Sequence, residues 1–126
     1  MPTSVKDMLA AASAAVPRLA ADQVRKHMAD GDALVVDVRD PTEVAATGKL
    51  RGAVAVSRGM LEFRADPDSP AHIGPFQRDK TVILYCGSGG RAALAGHTLR
   101  DLGYTSVFNA GGFKELAAAG LDTEPA

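Results

Sequence analysis

Two stretches leave this chain little choice of architecture. "ALVVDV" (33–38) and "TVILY" (81–85) are almost unbroken apolar runs, rich in β-branched residues and too short for stable helices. Neither alternates apolar with polar positions, so neither is a strand with one wet face. Runs of this kind are strands buried on both sides, which in a small domain means a parallel sheet covered by helices on both faces. The segments between them supply those helices. Ser4 and Asp7 form an imperfect capping box that opens a helix running to about Ala15, with Pro17 as its stop. A second helix covers Ala21–Ala29, and Gly31 provides its left-handed end. Pro41 opens a short helical turn in "PTEVAATG". "AVAVS" (53–57) reads as another short strand, and "GMLEFRA" as a helix after it.

Further along, Arg91–Leu102 reads as a helix. Ala92, Ala95, Leu99 and Leu102 share its buried face, with Ala93, His97 and Arg100 on the other side. "TSVFNAGG" gives a last strand and turn, and "GFKELAAAG" a last helix. The alternation predicts an α/β fold, a central and mainly parallel sheet of about five strands with helices on both faces. The first of those strands is very short, near Leu19, and "TVILY" is central. Residues 1–17 are expected to form a helical extension, and residues 18–126 one domain.

Composition narrows the function. A chain of 126 residues, 46% hydrophobic, buries a core without needing disulfides. One cysteine, Cys86, excludes an intrachain disulfide and a multi-cysteine zinc site, and fits a reducing, cytoplasmic setting. A net charge of −1 gives no reason to expect nucleic acid or an anionic membrane as partner. The apolar runs fall far short of the roughly 20 residues of a membrane span. Lys6 and Asp7 interrupt the alanine-rich N-terminus, which lacks a basic leader region and reads as a helix of the mature protein. His27, His72 and His97 share no ligand spacing, so no metal or other cofactor is expected.

The chemistry concentrates in "ILYCGSGGRAAL" (83–94), where Cys86-Gly87-Ser88-Gly89-Gly90-Arg91 joins the best strand to a helix. In parallel sheets, ligands bind beyond the carboxyl ends of the strands. The glycines let successive amides turn inward as an anion nest, and the helix adds its N-terminal dipole. A thiol there is favoured as the thiolate, the nucleophilic form, and Arg91 at the rim adds a charge of the right sign. The competing reading is a cysteine that is merely buried, as free cysteines often are. Loop size separates two chemistries. Four residues lie between Cys86 and Arg91, and phosphate-transferring cysteine loops generally carry five there. The tighter cup suits a single sulfur atom on the cysteine.

Three segments resemble the rhodanese family of single-domain sulfurtransferases: "VVDVRDPTEVAATGKLRGAVAVSRGMLEF" (35–63), "TVILYCGSGGRAALAGHTLRDLGY" (81–104) and "VFNAGGFKELAAAG" (107–120). The resemblance implies a rhodanese domain over 18–126. It implies that Cys86 takes a sulfane sulfur from a small donor such as thiosulfate or another persulfide. The sulfur is held as a persulfide and passed to cyanide, a small thiol or a thiol protein. The binding residues are then Gly87, Ser88, Gly89, Gly90 and Arg91. Many thiosulfate-using members carry extra cations inside the loop, where this chain has Gly-Ser-Gly-Gly. The family's frequent Trp after the paired glycines is absent, and Phe113, Lys114 and Glu115 stand there. Two other readings compete with the enzyme: a rhodanese-fold binding or sulfur-relay module without turnover, and a phosphatase or arsenate reductase on the same fold.

Other residues enter as expectations. Arg58 follows the strand at 53–57 and reaches the cup if that strand neighbours "TVILY". Asp37 fixes loop amides and borders the cup, while Arg39 and Glu43 pair to tie strand to helix. The proline-rich connection 65–79 is expected to wall one side of the pocket.

Overall fold

The computed structural model describes residues 2–126. Its elements run α1 (Val5–Ala15), α2 (Ala21–Asp30), β1 (Ala33–Asp37), α3 (Pro41–Thr47), β2 (Lys49–Leu50) and β3 (Val54–Ala55). A 3-10 turn (Arg58–Met60) follows, then α4 (Leu61–Ala65), β4 (Thr81–Cys86), α5 (Gly90–Asp101), β5 (Val107–Gly112), α6 (Phe113–Ala118) and β6 (Thr123–Glu124). Four strands form a parallel sheet in the order β3-β1-β4-β5. The fifth, near Leu19, is reduced to a single parallel bridge between Arg18 and Asn109. A separate antiparallel pair, β2 with β6, was not expected from the sequence. Each of its strands is only two residues long, too short to carry a periodic signal.

Alternation along the buried strands sorts side chains between two cores. Leu34 and Val36 of β1 join Val82, Leu84 and Cys86 of β4 on the face covered by α4 and α5. Val35, Ile83 and Tyr85 point the other way, to Val24 of α2 and to Phe113 and Leu116 of α6. The thiol therefore leaves the end of β4 on the α5 side. This is a consequence of the two-residue period of a strand.

Helix α1 is built as expected, with Asp7 N donating to Ser4 Oγ at 3.1 Å and the reciprocal bond completing the capping box. It is no loose appendage. Ala12 and Val16 are buried, and Val16 belongs to the α5-side core. The fit depends on small residues of α5. A Cβ on Gly90 would touch Leu9, and one on Gly96 would come within 2.9 Å of Val16 Cγ1. Ala93, expected on the solvent side, lies between these two points and is buried, because α1 covers that flank.

The proline-rich connection is also placed differently. Phe76 is buried edge-on against Tyr104, and Arg78 Nε donates to Leu102 O at 2.7 Å. Both partners lie at the C-terminal end of α5. That helix is 12 residues long, so the connection caps the end roughly 18 Å away from Cys86.

Gly96→Ala tests the α1–α5 seam. Intrinsic propensity favours Ala by about 1 kcal/mol, but the added methyl meets a β-branched side chain with no free rotamer. Overpacking of this kind costs about 1–3 kcal/mol. The variant is expected to melt at a lower temperature than wild type, read by calorimetry; an unchanged or raised Tm would show that the seam is loose.

Candidate functional site

The loop after β4 is shaped by contacts that reach it from three sides. Cys86 is fully buried, and Gly89 N donates to its Sγ at 3.0 Å. Gly89 makes the turn in the left-handed region, with φ of 106°, a conformation that favours glycine. Helix α5 begins at once, and its first-turn amides, from Gly90 onward, have no acceptor within the helix. The thiol thus sits beneath the Gly89 amide at the start of α5, with Gly87 and Ser88 exposed as its lip.

Strand β5 supports this loop from the side. Its register against β4 shifts between Leu84 and Tyr85, so that Gly111 pairs with Tyr85 and Gly112 with Cys86. A Cβ on Gly112 would stand 2.5 Å from Gly87 O, so backbone lies directly on backbone there. Asn109, buried in the same strand, donates from Nδ2 to Gly89 O at 3.0 Å. Its Oδ1 accepts from Gly111 N at 2.8 Å. The sequence reading missed Asn109, which stands in a strand pattern with nothing local to mark it.

Arg91 lies at the rim as expected, but its charge is engaged. Nη1 and Nη2 meet Glu43 Oε1 and Oε2 at 2.6 and 3.0 Å, a two-pronged pair from α5 to α3. The hydrogen bond from Arg91 pulls the Glu43 carboxyl down from 4.5 to about 2, and the same bond raises Arg91. The expected Arg39–Glu43 pair does not form. Arg39 turns inward to Asp37, with Nη2 to Oδ2 at 2.7 Å, and donates also to Thr47 Oγ1 and Gly48 O. Burial is the largest single influence and opposes the Arg39 charge, but the Asp37 bond and the charges of Asp37, Tyr85 and Glu43 together raise the guanidinium above its ordinary value. Asp37 is fully buried in this pair. It also accepts from Arg39 N, the amide-fixing part of the expectation; its carboxylate is committed to Arg39.

Arg58 is not brought to the cup. Strand β1 lies between β3 and β4, so the two are not neighbours. The Arg58 guanidinium donates to Glu62 Oε1 and to Thr98 Oγ1. Thr98 stands eight residues beyond Gly90 in α5, about 12 Å down the helix from the cysteine.

The sequence profile described as Rhodanese-like domain matches residues 20–119. The chain belongs to the rhodanese-like family. Among family relatives, human thiosulfate:glutathione sulfurtransferase is 30% identical over 109 residues, covering 81% of this chain and 94% of the relative. A Rhodopseudomonas palustris protein of unknown function, described as a possible tyrosine phosphatase, superposes with a TM-score of 0.88 at 37% identity. That match covers 98% of this chain and 99% of the other. The homodimeric polysulfide-sulfur transferase of Wolinella succinogenes superposes with a TM-score of 0.74 at 31% identity, over 96% of this chain and 87% of its own. Both solved structures match well beyond the span of the family profile. Among the described residues no helix is long and apolar enough to cross a membrane.

The Glu43–Arg91 pair makes a pH prediction. A carboxyl held at about 2 in the fold, against 4.5 ordinarily, binds fewer protons folded than unfolded. Its stabilisation is complete above 4.5 and is lost as pH falls toward 2. Both side chains are 38% exposed, so the contribution is below about 1 kcal/mol. Thermal melts of wild type and Glu43→Gln are expected to differ slightly at pH 6 and to converge as pH falls from 4.5 to 2. A gap that widened on acidification would contradict the assignment.

Proposed function

We propose that the protein is a sulfurtransferase working by double displacement through a Cys86 persulfide. The observation that carries this reading is the amide of Gly89 on Sγ, at the mouth of a helix N-terminus and with no bulk in the loop. The Cys86 thiolate attacks the sulfane sulfur of a donor. A new S–S bond forms, the donor's bond to that sulfur breaks, and its electron pair leaves with the rest of the donor. The terminal sulfur of Cys86–S–S⁻ then carries the negative charge, where the amides of the loop act as an oxyanion hole acts. An acceptor such as cyanide attacks that outer sulfur, leaves as thiocyanate and returns the thiolate. There is one cysteine in the chain, so no second thiol resolves the persulfide and the acceptor comes from outside, as cyanide, a small thiol or a thiol protein. A working free thiol suits the reducing cytoplasm. Relatives named for thiosulfate and for polysulfide support an anionic small-molecule donor.

The description of the Rhodopseudomonas relative raises phosphatase chemistry as a second reading. Two features weigh against it. The loop has four residues between Cys86 and Arg91, a cup sized for one sulfur. Moreover, the arginine fork that would grip phosphate from two sides is occupied by Glu43.

Intact-mass measurement tests the proposal. After thiosulfate, polysulfide or glutathione persulfide, wild type is expected to gain one sulfur atom and to lose it to cyanide as thiocyanate. Cys86→Ser is expected to gain none, and wild type to leave para-nitrophenyl phosphate intact. A persulfide that no acceptor discharges would indicate a relay module. Phosphate-ester hydrolysis without sulfur uptake would overturn the reading in favour of a phosphatase.

A further inference from the structure

We infer that Arg18, outside the span matched by the family profile, is the cation that receives the anionic sulfur donor at the cysteine loop. The inference rests on the sulfurtransferase reading and names the contact that selects its donor. The guanidinium of Arg18 lies against two glycines of the site. A Cβ on Gly89 would be 3.4 Å from Nη1, and one on Gly111 would be 2.9 Å from Cζ and would collide with Nη2. Gly89 is the residue whose amide holds Sγ, so the cation packs against the residue that donates to the sulfur. Both glycines have left-handed φ, 106° and 89°, and with no side chain on either the guanidinium rests directly on the loop backbone.

Its charge is uncommitted. The ion pairs among the described residues are Arg25–Asp22, His27–Asp32, Arg39–Asp37, Lys49–Glu124, Arg58–Glu62 and Arg91–Glu43. Arg18 is in none of them. Glu115 shares the open cleft beside Arg18 without coming within ion-pair distance. The Arg18 residue is exposed to solvent, yet its backbone is anchored: Leu19 N donates to Asn109 O at 3.0 Å, and Asn109 N to Pro17 O at 2.9 Å. The side chain is thus delivered to the loop by a backbone that does not depend on the guanidinium.

Charge accounting makes this cation necessary. The loop segment Gly87–Gly90 is uncharged, and Arg91 is matched by Glu43. Sulfane donors such as thiosulfate are dianions approaching a thiolate, so like charges meet unless a cation stands between. In the step with thiosulfate, the Cys86 thiolate bonds to the outer sulfur and the S–S bond to the sulfonate sulfur breaks. Sulfite leaves with the electron pair. Arg18 would hold the sulfonate end before and during that separation.

The experiment separates binding from turnover. Thiosulfate binding is measured at low salt by calorimetry on Cys86→Ser, alone and combined with Arg18→Ala or Arg18→Lys. Loss of one charge-assisted contact is expected to weaken binding about tenfold in the Ala variant, with partial recovery in Lys. In the protein that retains Cys86, Arg18→Ala is expected to raise KM for thiosulfate by the same factor and to flatten its dependence on ionic strength. Discharge of a preformed persulfide to cyanide, which has no sulfonate to hold, is expected to slow by a smaller factor. Equal thiosulfate affinity with and without Arg18, or no measurable binding to Cys86→Ser, overturns the inference. So does a loss shared equally by Ala and Lys together with a fall in Tm. If thiosulfate binds through Arg18 but wild type never gains sulfur, the sulfurtransferase reading falls and the anion site stands.

Discussion

The site hangs on the carboxamide of Asn109. From the middle of β5 it bonds Gly89 O on one side and Gly111 N on the other, while its backbone bonds the chain at Pro17 and Leu19. One buried residue therefore ties together the cysteine loop, the end of β5 and the segment that carries Arg18. Buried amides of this kind are costly when unpaired and specific when satisfied. Here the carboxamide bonds on both sides. The Gly89 carbonyl is held from two sides, by Asn109 Nδ2 and by Ala93 N of α5, in the same left-handed residue whose amide donates to Sγ.

Around this anchor, Arg18 apart, the full charges are paired off and dipoles are left to act on the sulfur. Arg39 is matched by Asp37 under the sheet edge, Arg91 by Glu43 at the rim, and Arg58 by Glu62 on the flank of α5. What faces the sulfur is backbone. In the proposed mechanism, fixed amides need no reorganisation when charge moves from the thiolate to an outer sulfur, which is the merit of preorganised donors in a site closed to water. A guanidinium facing the sulfur directly would neutralise the persulfide more strongly, and would also hold it more firmly against the acceptor. The pairing of Arg91 with Glu43 takes up the fork that a clamp for a tetrahedral anion would use, in keeping with the proposed sulfur chemistry.

The base beneath the loop is rigid for ordinary packing reasons. Cys86 follows Val82 and Leu84 on one face of a strand that has a parallel neighbour on each side. Helix α5 is pinned between the sheet and α1, with glycines 90 and 96 letting Leu9 and Val16 close on it. The N-terminal helix thus helps fix the direction of α5, and with it the aim of the first-turn amides. A segment lying entirely outside the family profile contributes to the geometry of the site in this way.

Much of this was legible in the order of residues. The short apolar runs demanded strands buried on both faces, and the strand–helix alternation demanded a parallel sheet. Cys86 had to emerge at a carboxyl edge because it directly follows the most apolar run. These are local or periodic properties, set by the two-residue repeat of a strand and the conformational freedom of glycine. Partner choice was not legible. Glu43 is four residues from Arg39 and forty-eight from Arg91, so proximity in sequence favoured the wrong pair. Burial of Asp37 settled it by drawing Arg39 inward. Strand order removed Arg58 from the cup, since β1 intervenes between β3 and β4. Asn109 and Arg18 carry no pattern at all. They meet the loop because β5 is laid beside β4 and the chain at Arg18 is bridged to β5, contacts between segments far apart in sequence. The sequence by itself determined that a thiol would stand in a glycine-lined turn at the edge of a buried parallel sheet. Tertiary packing decided which charges would face it, because an ion pair forms between whichever groups the fold desolvates together.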